Sequence, residues 1–282
     1  MANIHDFGKD DDQNNNNGST NGSGGTSTGS VNPIANILGG GTTTTGNSND
    51  VPEALIDYSE LAKNKEFHPV LFREPQIAQL MSVLNTLNHP NALIIGDAGV
   101  GKTGIVEEVA RLLYIKDPLA TAMLGGYTIY ELPISKLVAG KSFVGQLEQA
   151  VTDVIDFASN PDNKAILFID EIHQLMAKSD GVSDKIAQML KPALARKNMH
   201  FIGATTSQEA VTLQKDPAFS RRWSTIIVPE LTPDQTIEVV KSMKAVFTKK
   251  HNVILNDKII AAAIPIADEY KQYGSHRPDT AL

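Results

Sequence analysis

Gly96-Asp97-Ala98-Gly99-Val100-Gly101-Lys102-Thr103 satisfies the phosphate-binding loop pattern G-x-x-x-x-G-K-[ST] at every defined position. Its flanks supply the context such a loop requires. Ala92-Leu93-Ile94-Ile95 before it is an apolar run suited to a buried parallel strand. After it, Ile105, Val106, Val109, Ala110, Leu112 and Leu113 recur at helical spacing. Glycines let the backbone curl so that the N–H groups of residues 97–101 and the helix N-terminus face an anion. Lys102 adds a positive charge for the β- and γ-phosphates, and the Thr103 hydroxyl is a ligand for Mg²⁺.

Outward from the loop, strand-like runs occur at 128–132, 165–169, 200–204 and 225–228, separated by helical patterns at about 144–158, 183–196 and 207–215. This alternation predicts a parallel sheet covered by helices on both faces. Upstream, Tyr58, Leu61 and Ala62 suggest a short helix, and Ile77, Leu80, Met81, Leu84 and Leu87 mark one face of another. From Thr232-Pro233-Asp234-Gln235 the chain turns helical: a capping threonine, proline at the first helical position and glutamine at the third announce a helix start. A second helix begins near Asp257, with a kink expected at Pro265.

Composition bounds the rest. The 282 residues, 41% of them hydrophobic, suffice for one sizeable core and a smaller attached domain. A net charge of −7 without a Lys/Arg run longer than a pair argues against nucleic acid as a partner. The absence of cysteine removes disulfides and thiolate chemistry. The N-terminus has no signal-peptide pattern and no apolar run approaches the ~20 residues of a membrane span, so a soluble, cytoplasmic protein is expected. Residues 1–50 are dominated by Asn, Gly, Ser, Thr and Asp, which predicts a disordered tail. Its one apolar island, Val31 to Leu38, is either a partner-docking motif or a stray hydrophobic run.

Ile166-Leu167-Phe168-Ile169-Asp170-Glu171 has the form of a Walker B element, an apolar strand ending in two carboxylates. Asp170 is placed to hold Mg²⁺, and Glu171 to accept a proton from a water aimed at the γ-phosphate. Thr205-Thr206 ends the next strand, where a hydroxyl either orients that water or caps the following helix. Arg221-Arg222 is either a pair of fingers for a neighbouring subunit's γ-phosphate or a surface ion-pair partner. The histidines, His173 among them, lack metal-ligand spacing.

Together these residues resemble the first ATPase module of the Clp family of AAA+ unfoldases and disaggregases, from about Asp57 to Asp279. The most specific matches are Leu190 to Arg196 and Ile202-Gly203-Ala204-Thr205-Thr206. The resemblance implies a P-loop AAA+ α/β domain over 51–230 and a partial helical lid over 231–282. It makes Thr206 the sensor 1 residue and Arg221 and Arg222 trans-acting fingers of a homo-oligomeric ring, a hexamer. Val70 and Leu71 lie against the adenine in this scheme, with Phe72 standing where the family has glycine. Ile237 and Pro278 are the nucleotide contacts of the lid. Leu137 to Gly145 resembles the axial pore loop, with Phe143 as the residue that grips a polypeptide substrate. The resemblance stops just after Arg277-Pro278-Asp279, so a shortened lid is expected. The resulting expectation is a Mg-ATP-dependent ring that remodels proteins, its tail recruiting a partner or adaptor. The alternative is an assembly protein gated by nucleotide that threads no polypeptide.

Overall fold

The computed structural model describes residues 50–68, 70–138, 144–175, 181–215 and 220–269, all within one compact unit, 46–282. Phe143, Pro278 and, Asp50 apart, the tail over 1–50 lie outside the described residues. In chain order the elements are β1 (Ile56–Asp57), α1 (Tyr58–Lys63), α2 (Glu74–Leu84), β2 (Asn91–Ile95), α3 (Lys102–Tyr114), α4 (Pro118–Leu124), β3 (Thr128–Glu131) and α5 (Ile134–Val138). There follow α6 (Val144–Ser159), β4 (Ala165–Ile169), a 3₁₀ helix (Ile172–Leu175), α7 (Val182–Leu194), β5 (His200–Thr205) and α8 (Ser207–Gln214). Last come β6 (Ser224–Ile227), α9 (Pro233–His251) and α10 (Asp257–Glu269).

Six strands form one sheet in the order β1-β3-β4-β5-β2-β6, parallel except for the two-residue edge strand β1. β2 and β4 are buried at every position because helices cover both faces. Alternate residues serve opposite layers. Leu93, Ile95, Leu167, Ile169 and Phe201 pack with α6 and α7, while Ala92, Ile94, Ile166, Phe168 and Ile202 pack with α1 to α4. The carboxyl ends of β4, β5 and β2 are therefore neighbours, and the order of the strands reverses beside β2. In sheets of this kind a ligand crevice forms at that point.

The expected helices and strands are present, with an earlier end to one helix and four further short elements. α2 ends at Leu84, where the Asn85 N–H returns to the Met81 carbonyl, and Leu87 lies beyond it, 93% exposed. α10 starts at Asp257 as expected and runs to Glu269 with Pro265 inside it. α4, capped by Asp117 with Pro118 at its first position, the five-residue α5, the 3₁₀ helix and the edge strand β1 have no counterpart among the sequence expectations. α9 starts as expected, with Thr232 and Gln235 bonded in a reciprocal capping box. Its Ile237 packs with Val240, Ile260 and Ile264 in a small cluster separate from the two main cores.

Candidate functional site

The first glycine of the loop is fixed by space. A Cβ on Gly96 would lie 2.7 Å from the Val228 carbonyl oxygen and 2.9 Å from a Val100 methyl, so no larger residue fits between β2 and the end of β6. Gly99 and Gly101 have φ of 75° and 91°, in the region that glycine enters without steric cost. Gly101 is also the N-cap of α3, so the loop delivers the free N–H groups of a 13-residue helix to one point. Lys102 Nζ donates to the carbonyls of Gly96 and Asp97 at 2.9 and 3.0 Å. Burial pushes its ammonium below the usual lysine range, while the charges of Asp170, Asp97, Glu209 and Glu171 act in the opposite sense.

The strand order brings the second and third parts of the site to the first. Thr103 Oγ1 donates to Asp170 Oδ2 at 2.9 Å, joining loop to Walker B. The two oxygens suit a hard cation such as Mg²⁺, which takes oxygen ligands. The chain turns sharply after β4: Glu171 has φ 51°, uncommon for a residue with a side chain, and the 3₁₀ helix starts at once. Gln174 Nε2 donates to Glu171 Oε2. Between loop and Walker B lies the end of β5, where the Gly96 N–H donates to the Thr205 carbonyl at 3.3 Å. Thr206 caps α8 and is also one of the residues lining the cleft, so the two readings of this residue are compatible. Lys102, Thr103, Asp170, Glu171 and Thr206 line one cleft of about 330 Å³. A second cleft of about 410 Å³, lined by Tyr114, Tyr127 and Lys116, contains no such convergence of carboxylates and phosphate loop.

Other expected residues are placed less directly. Val70 stands beside the loop helix, its methyl 3.5 Å from where a Cβ on Gly104 would lie. Leu71 is half-buried next to it. Phe72 has φ 62°, which explains why glycine suits this position in the family that the sequence resembles. Arg221 and Arg222 precede β6, whose Ser224 pairs with Ala92 at the start of β2. The loop is at the other end of β2, about 13 Å along the strand at ~3.3 Å per residue. The two arginines are thus held away from their own chain's loop. Ile237 sits in the lid cluster.

Four further residues take part in the site. Arg73 is 3% exposed and donates from Nη2 to the Val100 carbonyl at 2.8 Å, bracing the loop from below. Asn91, fully buried, donates to the Arg222 carbonyl at 3.2 Å and ties the arginine turn to β2. Glu209 and His173 meet at 3.0 Å beside Thr206. The signal for Glu209 was the T-x-x-E spacing from Thr206; the other three are long-range contacts with no local signature. Behind Asp170, Tyr58 donates to Glu131 at 3.2 Å. Burial raises the Glu131 carboxyl against that hydrogen bond, and the charge of Asp170 adds to the rise.

Residues 92–231 match the family described as "ATPase family associated with various cellular activities (AAA)". Heat shock protein 104 of Schizosaccharomyces pombe is 35% identical over 230 residues, covering 80% of this chain and 25% of that protein. Chaperone protein ClpB of Staphylococcus aureus is 35% identical over 244 residues, 84% of this chain and 28% of its own length. The solved complex of Saccharomyces cerevisiae Hsp104 with ADP superposes with a TM-score of 0.73 at 33% identity, over 82% of this chain and 32% of that one. The chain carries a Clp-type AAA+ ATPase module. The chain spans between a quarter and a third of the length of these relatives. A structure of S. cerevisiae Hsp104 with casein, in an extended conformation, matches this Clp-type module similarly, with a TM-score of 0.72 at 33% identity over 81% of the chain and 39% of its counterpart.

Proposed function

We propose that this module binds and hydrolyses Mg-ATP as one subunit of a homo-oligomeric ring, a hexamer, and uses the cycle to remodel polypeptide substrates. The observation that carries the reading is the convergence of Lys102, Thr103, Asp170, Glu171 and Thr206 on one cleft. The loop amides of Asp97 to Gly101 and the Lys102 ammonium hold the phosphates. Thr103 and Asp170 hold Mg²⁺, which when bound neutralises charge on the β- and γ-phosphate oxygens. Glu171 takes a proton from the attacking water, and Thr206 orients that water. Val70 and Leu71 flank the adenine, while Ile237 and Pro278 contact the nucleotide from a lid spanning 231–282. Arg221 and Arg222 act on the neighbouring subunit's γ-phosphate, a role supported by their distance from their own loop.

The polypeptide substrate is inferred from similarity to Hsp104 solved with casein, with Phe143 as the gripping residue of a pore loop and the tail as an adaptor site. Glu171→Gln is the deciding variant. It is expected to bind ATP with unchanged affinity while turnover falls at least ~100-fold, the scale of a lost general base. Turnover at the wild-type rate would remove Glu171 from the chemistry. The same ATP-loaded variant should have the mass of a ring by light scattering. A tagged fluorescent protein should lose its signal with the wild-type chain and ATP, but not with Phe143→Ala. Ring formation and turnover without any unfolding would instead favour the nucleotide-gated assembly protein.

A further inference from the structure

Glu209 does more than cap a helix. In the reciprocal capping box its carboxylate receives the Thr206 backbone N–H at 3.1 Å, and its own N–H returns to Thr206 Oγ1 at 3.4 Å. The same oxygen, Oε2, also accepts the Thr206 hydroxyl at 2.7 Å and the Thr205 hydroxyl at 3.2 Å, and it lies 3.0 Å from Nδ1 of His173. Neither of the last two contacts is needed for capping. His173 comes from the 3₁₀ helix that immediately follows the Walker B carboxylates, so Glu209 joins the end of β4 to the end of β5 inside the cleft.

A threonine hydroxyl has one proton and two lone pairs. The Thr206 proton is committed to Glu209, and one lone pair faces the Glu209 N–H. One lone pair remains. In that state Thr206 can only accept a hydrogen bond from the cleft, which suits it to a water that must aim its oxygen elsewhere. Burial alone would raise the Glu209 carboxyl, but the Thr206 hydroxyl and N–H, the charge of His173 and the Thr205 hydroxyl together hold it below the usual glutamate range. The acceptor therefore stays charged at neutral pH.

We propose that Glu209, anchored by His173, is a positioning residue for ATP hydrolysis: it takes the Thr206 proton and so makes Thr206 an obligatory acceptor for the attacking water. The proposal rests on the reading of Thr206 as the water-orienting residue. Glutamine serves the capping box as well as glutamate does, but its neutral oxygen is a weaker acceptor for the three donors it holds. The full chain carrying Glu209→Gln should therefore keep its melting temperature and its affinity for a fluorescent ATP analogue, within about twofold, while kcat falls about tenfold. His173→Ala, which leaves the cap untouched, should lower kcat in the same way by about threefold. In the double variant Thr206→Val/Glu209→Gln, kcat should equal that of Thr206→Val alone.

Wild-type kcat in Glu209→Gln, or losses that simply multiply in the double variant, would overturn the proposal while leaving Thr206 in place. Wild-type kcat in Thr206→Val would instead remove the reading beneath it. Should Glu209→Gln fold poorly, His173→Ala decides: unchanged kcat there overturns the anchoring, and a kcat loss at constant nucleotide affinity sustains it.

Discussion

Arg73 carries a charge into a site where almost none of it reaches solvent, being 3% exposed. Burial pushes its guanidinium below the usual arginine range, and its hydrogen bond to the Val100 carbonyl helps offset that cost. Val100 is itself buried in the phosphate loop, so the bond fixes the loop from the side opposite the nucleotide. A hydrogen bond to a charged group is worth about 1.5–3 kcal/mol, and its loss strands a carbonyl. Arg73→Met keeps the apolar stem and deletes the donors. It should lower stability by about 2 kcal/mol, read as a fall in the urea midpoint. It should also weaken ATP binding about tenfold by loosening the loop. Equal ATP affinity in variant and wild type would mean that the loop holds its shape without this brace.

At the scale of elements, Gly203 decides where the Walker B turn can sit. A Cβ there would lie 2.9 and 3.1 Å from carbons of Ile172 and 3.2 Å from the Trp223 ring. Ile172 is fully buried at the head of the 3₁₀ helix, so it has little room to retreat. Gly203→Ala should cost about 1–3 kcal/mol by overpacking, and should reduce turnover by shifting Glu171 and His173 with the helix. A thermal melt together with kcat checks both halves. His200, at the start of β5, packs against Tyr127 with ring centroids 4.6 Å apart and ring planes tilted by 51°, and burial lowers its pKa from 6.5. Below pH 6.5 the unfolded chain binds the proton first, so stability falls with pH through that window and levels off below the folded-state value. Urea midpoints at pH 5.5 and 7.5 should differ less in His200→Gln than in wild type. Strands such as Ala165 to Ile169 were legible because a run buried on both faces is apolar throughout. β1 was not, since two residues carry no period, and the 7 residues of α4 are too few to show a helical face despite its Asp117-Pro118 start. In the site, motifs with fixed spacing were legible. Arg73, Asn91 and His173 were not, because their partners lie 27, 131 and 36 residues away and only the fold brings them together.

At the scale of the whole molecule, the sheet separates the chemistry from the proposed fingers. The Arg222 carbonyl is tied to Asn91 at the start of β2, whereas Gly96 and Lys102 follow its end. One chain thus presents a phosphate loop at one end of the strand and an arginine pair at the other, an arrangement suited to head-to-tail contact between copies. If the fingers act across such a contact, two inactive variants can complement each other. Glu171→Gln lacks the base but keeps its arginines; Arg221→Ala/Arg222→Ala lacks the fingers but keeps its base. Neither substitution touches the backbone carbonyl that Asn91 holds. Mixed in equal amounts and allowed to exchange, a quarter of random neighbour pairs place an intact base against intact fingers. Turnover should then recover to about a quarter of the wild-type rate, because a finger supplied in trans stabilises the transition-state charge as well as its own chain's would. If each chain instead used its own arginines, every site in the mixture would remain defective. ATPase rates of the mixture would then stay at the mean of the two inactive proteins at every mixing ratio. A maximum at equal proportions is the signature that separates the two outcomes.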